Sequence, residues 1–304
     1  MDNVLSRLYY ASLCGLSRHV ELFIKQGDEI DVRGGRFKTP LAAACRQGFL
    51  SSARLLLEMG ADFRGLAEHD TVMAEAAISG DVALVKLLLN QEKKAAEAGE
   101  PGVAWPTSHF HEADMACYYG NKDVMNLLLV ETEGTYITEI TLAGSLVGRA
   151  ASVGHLALVK WLLDDLHMDI DVEGGHYGTP LRATAINGHE QIMRELLNRG
   201  ANPNLRGESP GSPLVAAMDF NRTTLFDLLL ECPRTDINND DGKYGRPIQF
   251  AAYKGNPYFV RELLKKGADV HAQGGLFGTA LEAATKEKHE EIVQLLLEAG
   301  AGQV

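Results

Sequence analysis

The chain has 304 residues, with 29 Lys and Arg against 41 Asp and Glu, which gives a net charge of −12 at pH 7. Contact with nucleic acid or with an anionic membrane needs clustered cations, so this acidic balance argues against both partners. No apolar stretch approaches the roughly 20 residues of a membrane span, and the first residues lack the basic segment and apolar core of a secretory signal.

One short pattern recurs nine times along the sequence, and each copy can be anchored on its first apolar residue. The anchors are Leu8, Leu41, Met73, Ala113, Val147, Leu181, Leu214, Ile248 and Leu281, which lie 33, 32, 40, 34, 34, 33, 34 and 33 residues apart. A fixed period near 33 predicts stacked units, none of which can bury its apolar face alone. The sequence therefore predicts a single solenoid over residues 1–304. Its units are expected near residues 4–33, 34–66, 67–106, 107–139, 140–173, 174–206, 207–240, 241–273 and 274–304.

The sixth copy indicates how one unit is built. Its glycine-rich start, 174–178, predicts a tight turn. Thr179 can cap a first helix that begins at Pro180, since proline misses no amide donor there. Gly188 predicts a left-handed end to this first helix, and a second helix follows from near Glu190. Each unit is therefore turn, helix, turn, helix, and the fold class is all-α with short hairpin-like turns.

Two departures from the pattern stand out along the chain. The step of 40 residues between the third and fourth copies marks an insertion at about 91–107, in which 93–97 can prolong a helix and 99–102 predicts a loop. The glycine that ends the first helix in seven copies is replaced by Asn221 and Lys288 in the other two. The residue after this position is His155, His189 or His289 in three copies, and we expect these histidines to hydrogen-bond neighbouring turns.

Two groups of residues resemble catalytic or metal sites, and in both the context argues against the chemistry. The segment 207–211 reads Gly-x-Ser-x-Gly, but the nucleophile elbow needs a strand before it and a helix directly after it, whereas this segment lies in an inter-repeat turn. The possible metal ligands are His109, His111, Glu112, Asp114 and Cys117. Both histidines are expected to project from a turn while the cysteine faces the core, so the ligands do not converge. We predict no catalytic residue, no metal and no cofactor.

The four cysteines predict a reducing compartment. They are Cys14, Cys45, Cys117 and Cys232. Cys45 and Cys117 occupy a slot that holds alanine in other copies, which is typical of a buried reduced thiol. We therefore expect a cytoplasmic or nuclear protein.

At several fixed positions the sequence resembles the ankyrin repeat. The matching motifs are Thr39-Pro40-Leu41 and Thr179-Pro180-Leu181, the paired alanines 76–77, 150–151 and 251–252, the Gly-His pairs 154–155 and 188–189, and the Gly-Ala-Asp exits 60–62 and 267–269. The resemblance covers about residues 4–302 and implies a helical solenoid that binds other proteins. The Gly-Gly-x-aromatic turns at 34–37, 174–177 and 274–277 are similar to those in ankyrin arrays of filamentous fungi, which often follow a nucleotide-binding signalling domain.

The resemblance also implies where a partner binds, because the turns of an ankyrin stack project as fingers and the first helices line a concave groove. The groove residues are expected to be Ile78, Phe110, Tyr118, Tyr119, Val153, Ile186, Phe220 and Tyr253. The flanking cations are Arg36, Lys38 and Arg46 near one end, and Lys243, Lys254 and Lys286 near the other. An apolar strip between cations suits a protein segment, in particular an acidic one.

Three further interpretations stay open at this point. The chain can be the recognition array of a larger nucleotide-binding signalling receptor. It can also be a small-molecule binder or an atypical enzyme that uses the divergent copies around 110–119. The last copy, which keeps apolar residues to its end, can make an end-to-end contact.

Overall fold

The computed structural model describes residues 6–64, 71–101, 109–131, 140–174, 177–206 and 211–302, with the backbone alone at 130–131 and 140–145. Within these ranges the regular structure is helical, and the one β-type feature is an isolated antiparallel bridge between Gly174 and Gly178. The helices in the same ranges are too short or too polar to cross a bilayer. The prediction of an all-α repeat solenoid is confirmed.

The first compact unit is Met1–Thr138. Its described helices are α1 (Arg7–Leu13), α2 (Ser17–Lys25), α3 (Pro40–Arg46), α4 (Leu50–Glu58), α5 (Val72–Ser79), α6 (Val82–Glu97), α7 (Phe110–Tyr118) and α8 (Lys122–Glu131). The odd-numbered helices are the first helices of their copies and pack on one another in order. The even-numbered second helices pack in a parallel row behind them.

The second compact unit is Glu139–Val304. Its described helices are α9 (Ile140–Val153), α10 (Leu156–Asp164), α11 (Pro180–Asn187), α12 (Glu190–Asn198), α13 (Pro213–Asp219), α14 (Thr223–Glu231), α15 (Pro247–Lys254), α16 (Pro257–Lys265), α17 (Ala280–Lys286) and α18 (Glu290–Glu298). A single 3₁₀ turn, Gly242–Tyr244, precedes α15. First and second helices again form two rows. A single solenoid over residues 1–304 stays a prediction.

The repeated apolar positions supply the core of each unit. Eight of the nine anchors are buried, namely Leu8, Leu41, Met73, Ala113, Val147, Leu181, Leu214 and Ile248. The ninth anchor, Leu281, is half-buried. Cys45 and Cys117 are fully buried, as predicted, and burial raises the pKa of the Cys45 thiol. None of the four cysteines, all of which lie in the described ranges, forms a disulfide.

The helix starts follow the predicted capping chemistry. The Thr179 hydroxyl accepts a hydrogen bond from Arg182 N at 3.2 Å, and Pro180 is the first residue of α11. The Thr39 and Ser212 hydroxyls cap α3 and α13 in the same way. Because side-chain oxygens satisfy amides that the helix itself leaves unpaired, short helices of seven to nine residues can form here.

The end of each first helix explains both the glycine and the histidine of the pattern. Gly188 and Gly255 are left-handed, with φ of +89° and +78°. A Cβ built on Gly255 would lie 2.4 Å from the ring of His289, which belongs to the next copy. His289 Nε2 lies 3.1 Å from Tyr253 O, and His189 Nε2 lies 2.9 Å from Ser152 O. The prediction that these two histidines bond neighbouring turns is confirmed.

The turns after the second helices are linked from copy to copy by Asp and Asn side chains. Asn202 N donates to Asp171 Oδ1 at 2.8 Å, and Asp236 N donates to Asn204 Oδ1 at 2.8 Å. Asp269 N, at the end of the eighth copy, donates to Asn238 Oδ1 of the seventh at 2.8 Å. In the first unit Asp62 N donates to Asp31 Oδ1 at 3.0 Å. We call this series the Asx ladder.

The insertion after the third copy begins as a prolonged helix. α6 has 16 residues and ends at Glu97, as the sequence of 93–97 predicts. Gly99 follows with a left-handed φ of +72°. The rest of the insertion, from 102 to 108, lies outside the described residues.

Candidate functional site

In the first unit, the expected groove residues meet at the end of α7. Tyr118 is its last residue and Tyr119 is the C-cap. Their side chains are 43% and 45% exposed. The ring centroids are 5.3 Å apart in an edge-to-face arrangement. Two adjacent aromatic side chains are therefore open to a partner on one helix end.

Arg46, at the end of α3, reaches this aromatic pair from two copies away. Its Nη1 lies 3.1 Å from Glu75 Oε2, and its Nη2 donates to the Tyr119 hydroxyl at 3.4 Å. The guanidinium carbon is 5.3 Å from the Tyr119 ring centroid and 5.8 Å from that of Phe37. Arg46 therefore holds Tyr119 in place, and Glu75 balances its charge.

The other predicted residues of this unit differ in their exposure. Ile78 and Phe110 are half-buried. Arg36 and Lys38 are exposed, and Arg36 lies over the Phe37 ring at 5.6 Å. Lys38 has a left-handed φ of +69°.

In the second unit, one predicted groove residue is clearly exposed. Phe220, the C-cap of α13, is 48% exposed. The predicted residues at or near the ends of the other first helices are half-buried, namely Val153, Ile186 and Tyr253. Half-buried side chains of this kind contribute to both the core and the surface.

Three aromatic rings that the sequence analysis did not assign to the site form a stack beside Tyr253. Phe277 lies 4.2 Å from Tyr253, with the ring planes 16° apart. Tyr244 lies on Phe277 at 6.2 Å and 8°, and Phe250 lies 4.8 Å from Tyr244. We call Tyr244, Phe250, Tyr253 and Phe277 the aromatic stack. Tyr244 and Phe277 precede their anchors by four residues, as Phe37 and Tyr177 do, and this recurring aromatic was the available signal.

Cations border the aromatic stack. Lys243 Nζ lies 5.7 Å from the Tyr244 ring centroid, and Lys254 Nζ lies 5.9 Å from that of Phe250. Lys254 also pairs with Asp219 at 2.9 Å. Lys286 is exposed at the end of α17, where it takes the position that Tyr253 has in the copy before. The three predicted cations of this end therefore lie on the same copies as the stack.

The cluster at the start of α7 differs from the prediction. His109 does not project from a turn: it is buried, with Nε2 3.0 Å from Glu92 Oε2 and Nδ1 3.9 Å from Glu112 Oε2. The prolonged α6 supplies Glu92, which covers the histidine. Burial lowers the pKa of His109, but contact with Glu92 and the charge of Glu112 outweigh it, so the net pKa is raised.

These contacts describe an ion-pair cluster. Glu112 Oε1 also accepts a hydrogen bond from the Thr71 hydroxyl at 2.8 Å. In the described part of the chain, no three His, Cys, Asp or Glu side chains are arranged to hold a metal ion. The segment 207–210, which carries the serine of the Gly-x-Ser-x-Gly match, lies outside the described residues.

Two open clefts lie between copies of the second unit. One, of about 280 Å³, is lined by Gly188, Glu190 and residues 221–225. The other, of about 420 Å³, lies between the ends of α12 and α14 and is lined by residues such as Arg194, Leu228 and Arg234. Neither is lined by a predicted groove residue.

Comparison with known proteins identifies the repeat. The family model for ankyrin repeats matches three times, at residues 8–98, 114–207 and 213–303. Ankyrin repeat and KH domain-containing protein mask-1 of Caenorhabditis elegans is 33% identical over 238 residues, which cover 77% of this chain and 8% of that protein. The human transient receptor potential cation channel subfamily A member 1 is 31% identical over 120 residues, covering 39% of this chain and 11% of the channel.

A third relative shows that the proteins that contain the matching segments are of different kinds. The 85/88 kDa calcium-independent phospholipase A2 of Rattus norvegicus is 31% identical over 111 residues, covering 36% of this chain and 13% of that protein. The chain thus spans between 8% and 13% of the length of these three relatives. Their names describe a KH-domain protein, a channel and a lipase, and what each shares with this chain is a segment of repeats. Since the family model covers most of its residues, this chain belongs to the ankyrin repeat family.

Proposed function

We propose that the chain is a non-catalytic adaptor that binds a protein segment through the inner faces of its units, where the first helices end. Ankyrin repeats are protein interaction modules, and family membership gives the chain this general role. The observation that carries the finer proposal is the pair Tyr118 and Tyr119, both more than two-fifths exposed at one helix end. Phe220 provides a similar exposed ring in the second unit.

The energy available from such rings is sufficient for binding. A partner that buries one large apolar side chain gains roughly 1.5–3 kcal/mol before the cost of ordering. Three or four anchors of that size give an affinity of about a micromolar or better. Arg46 adds to this because it already holds Tyr119, so less side-chain freedom is lost on binding.

The proposal also covers the cellular compartment of this chain and the charge of its partner. Four cysteines outside any disulfide, two of them fully buried, favour the cytosol or the nucleus. The exposed Arg36, Lys38 and Lys243 favour an acidic partner.

A second candidate function follows from the relatives. Because the chain corresponds to a small part of each of them, it is also consistent with the recognition array of a larger receptor. Such an array binds its partner alone but triggers no response alone. A signalling assay in cells, with binding measured in parallel, separates the receptor array from the adaptor.

The last copy is a candidate for end-to-end contact. Leu297 on α18 is 45% exposed, and the anchor Leu281 is half-buried. Light scattering over a range of protein concentrations tests this contact, since a mass that stays monomeric contradicts it.

The experiment for the main proposal is a pull-down from cells that express the protein naturally. The bait is compared with the variant Tyr118→Ala, Tyr119→Ala and Phe220→Ala, and we expect the partner to be lost from the variant. The matched control is Leu22→Ala with Met59→Ala, two exposed apolar residues of the second-helix row. A partner retained by all three baits would place binding on another surface.

A further inference from the structure

Leu276 is the most exposed large apolar side chain in the described residues, at 60%. The backbone around it is fixed: Leu276 N donates to Lys243 O at 2.9 Å, which joins the fingers of the last two copies. Gly275 packs closely on Gly245: a Cβ added to Gly275 would lie 2.4 Å from the backbone nitrogen of Gly245. A single exposed leucine is common on protein surfaces, so its meaning depends on what surrounds it.

The aromatic stack lies directly beside this leucine. Phe277 follows Leu276 in sequence and lies between the rings of Tyr253 and Tyr244, which are nearly parallel to it at 16° and 8°. Tyr244, Tyr253 and Phe277 are half-buried, so part of each ring remains accessible. Leu276 and the accessible parts of these rings therefore offer apolar surface on the same two copies.

The segment that supplies three rings of the aromatic stack also supplies cations. Residues 242–261 contain four Lys or Arg and no Asp or Glu, in a protein of net charge −12. Three of these four cations are balanced from outside the segment: Lys254 pairs with Asp219 at 2.9 Å, Arg246 pairs with Asp269 at 2.8 Å, and Arg261 pairs with Glu291. Lys243 and Lys286 are exposed and form no ion pair with the described residues.

The last copy also carries acidic residues. The Glu282 carboxylate keeps its charge while it accepts a hydrogen bond from Thr279 N at 2.7 Å as part of a capping box. Glu287 is followed by Lys288, whose charge is opposite, and Glu291 pairs with Arg261. Lys243 and Lys286 are therefore the cations of this surface that anionic groups of a partner can meet.

From these observations we propose that Leu276, the aromatic stack, Lys243 and Lys286 form an anchor site for an acidic protein segment with one large apolar side chain. The proposal rests on the proposed function and names the partner chemistry for one part of the inner face. A nucleic acid is a poorer match, since its affinity depends on many phosphate contacts and the chain as a whole is acidic. The test therefore also measures the binding of a nucleic acid.

The test uses the full chain and two sets of synthetic peptides about 12 residues long, each with a central Leu, Phe or Trp. One set carries Glu on both sides of that residue, and the matched set carries Lys. Fluorescence anisotropy at about 50 mM salt measures binding, because ionic contributions are largest at low ionic strength. We expect the Glu set to bind and the Lys set to bind at least about tenfold more weakly.

Variants locate the binding on the chain. The charge reversal Lys243→Glu with Lys286→Glu should weaken the Glu peptides by about tenfold or more, and Leu276→Ser should weaken them by about fivefold. The matched control is Lys265→Glu with Lys266→Glu, at the end of the second helix α16, which changes the charge by the same amount. The control should bind within about twofold of the unaltered chain.

Three results would overturn the proposal: equal binding of the Glu and Lys peptides, unchanged binding by the reversed variant, or tighter binding of a single-stranded DNA of similar length. The same variants in the cellular pull-down separate the two proposals. A partner lost with the Tyr118, Tyr119 and Phe220 variant but kept by the reversed variant supports the proposed function and rejects the anchor site. A partner kept by the first and lost by the second moves the binding surface to the last two copies.

Discussion

At Gly255 the chain needs both a left-handed backbone and room for a neighbouring ring, and these two requirements can be separated by substitution. Gly255→Ala places a Cβ 2.4 Å from the His289 ring at φ +78°. Gly267→Ala meets nothing within 4 Å at a similar φ of +87°. We expect Gly267→Ala to lower the free energy of unfolding by about 1–2 kcal/mol, the cost of the left-handed backbone alone. Gly255→Ala should cost roughly 1–3 kcal/mol more, since overpacking adds to it.

Urea unfolding of both variants measures this difference. A third variant, Gly255→Ala with His289→Ala, should recover part of the loss because it removes the ring that the methyl meets. Equal destabilisation by Gly255→Ala and Gly267→Ala would mean that the ring moves aside without cost.

Asp241 makes the stability of the second unit depend on pH. Its side chain is buried, with Oδ1 accepting from Ser212 N at 2.6 Å and Oδ2 without a hydrogen-bond partner. Burial raises its pKa to about 6. Because the folded state holds this proton more tightly than the unfolded state does, the stability from Asp241 is greatest below about pH 4 and falls as the pH rises to about 6.

We expect Asp241→Asn to remove this pH dependence, which amounts to on the order of 2–3 kcal/mol between about pH 4 and pH 7. The measurement is the free energy of unfolding at several pH values, for the unaltered chain and the variant. Asp240→Asn is the control, since Asp240 is exposed and its carboxylate accepts a hydrogen bond from Gly242 N at 2.9 Å. Parallel pH profiles of Asp241→Asn and the unaltered chain would contradict the assignment.

At the scale of elements, the prolonged α6 is held against the start of α7 by the contact between Glu92 and His109. The pKa of His109 is raised overall, since the attraction to Glu92 and Glu112 exceeds the opposing effect of burial. A histidine whose folded pKa is raised stabilises the fold fully below its unfolded pKa of about 6.5, and this contribution is lost as the pH rises through the folded value.

We therefore expect Glu92→Gln to destabilise the first unit by roughly 1–3 kcal/mol at pH 6, and by less at pH 9, because a smaller fraction of His109 is charged at the higher pH. Thermal unfolding followed by circular dichroism at the two pH values checks this. Glu97→Gln on the same helix is the control, because Glu97 is exposed. An equal effect of Glu92→Gln at pH 6 and pH 9 would show that the charge of His109 plays no part.

The same elements show how far the sequence alone leads. Thr179, Pro180 and Gly188 predict the sixth copy correctly, because capping and left-handed ends depend on neighbours within a few residues. The burial of His109 was missed because it depends on Glu92, whose helix packs beside it only in the folded unit. Leu276 was missed for a different reason, since exposure and ring stacking arise from contacts between copies rather than from offsets within one.

Among the groove residues, the sequence predicted Tyr118 and Phe220 as surface residues from their place at the end of the first helix. It could not distinguish them from Ile78 or Val153, which occupy comparable positions but are half-buried. The difference depends on how neighbouring copies pack, which a single sequence does not contain. Binding through this groove stays a prediction.

At the scale of the whole molecule, the two units should lose their structure in separate steps. In a repeat array each copy contacts only its neighbours, so unfolding of one unit does not by itself remove the buried core of the other. Trp161 on α10 is buried and reports on the second unit, whereas far-ultraviolet circular dichroism reports on all helices. In a Trp105→Phe background, we expect the two signals to give different urea midpoints.

Coincident midpoints would mean that the units unfold as one cooperative whole. The control is Trp161→Phe in the same Trp105→Phe background, which leaves no tryptophan. Loss of the fluorescence transition in this control shows that the signal comes from Trp161.

The Asx ladder has a consequence for how such a chain can change in length over evolution. Each rung of the ladder joins a backbone amide to an Asp or Asn 31 or 32 residues earlier, as at Asp171 and Asn202, or Asn204 and Asp236. A duplicated unit therefore contains a backbone amide that can donate a hydrogen bond to the preceding turn. It also contains a side chain that can accept a hydrogen bond from the following turn. Gain or loss of a whole unit leaves every link intact, whereas gain or loss of half a unit leaves a donor and an acceptor without partners. Selection on folding alone would then favour changes in length by complete repeats.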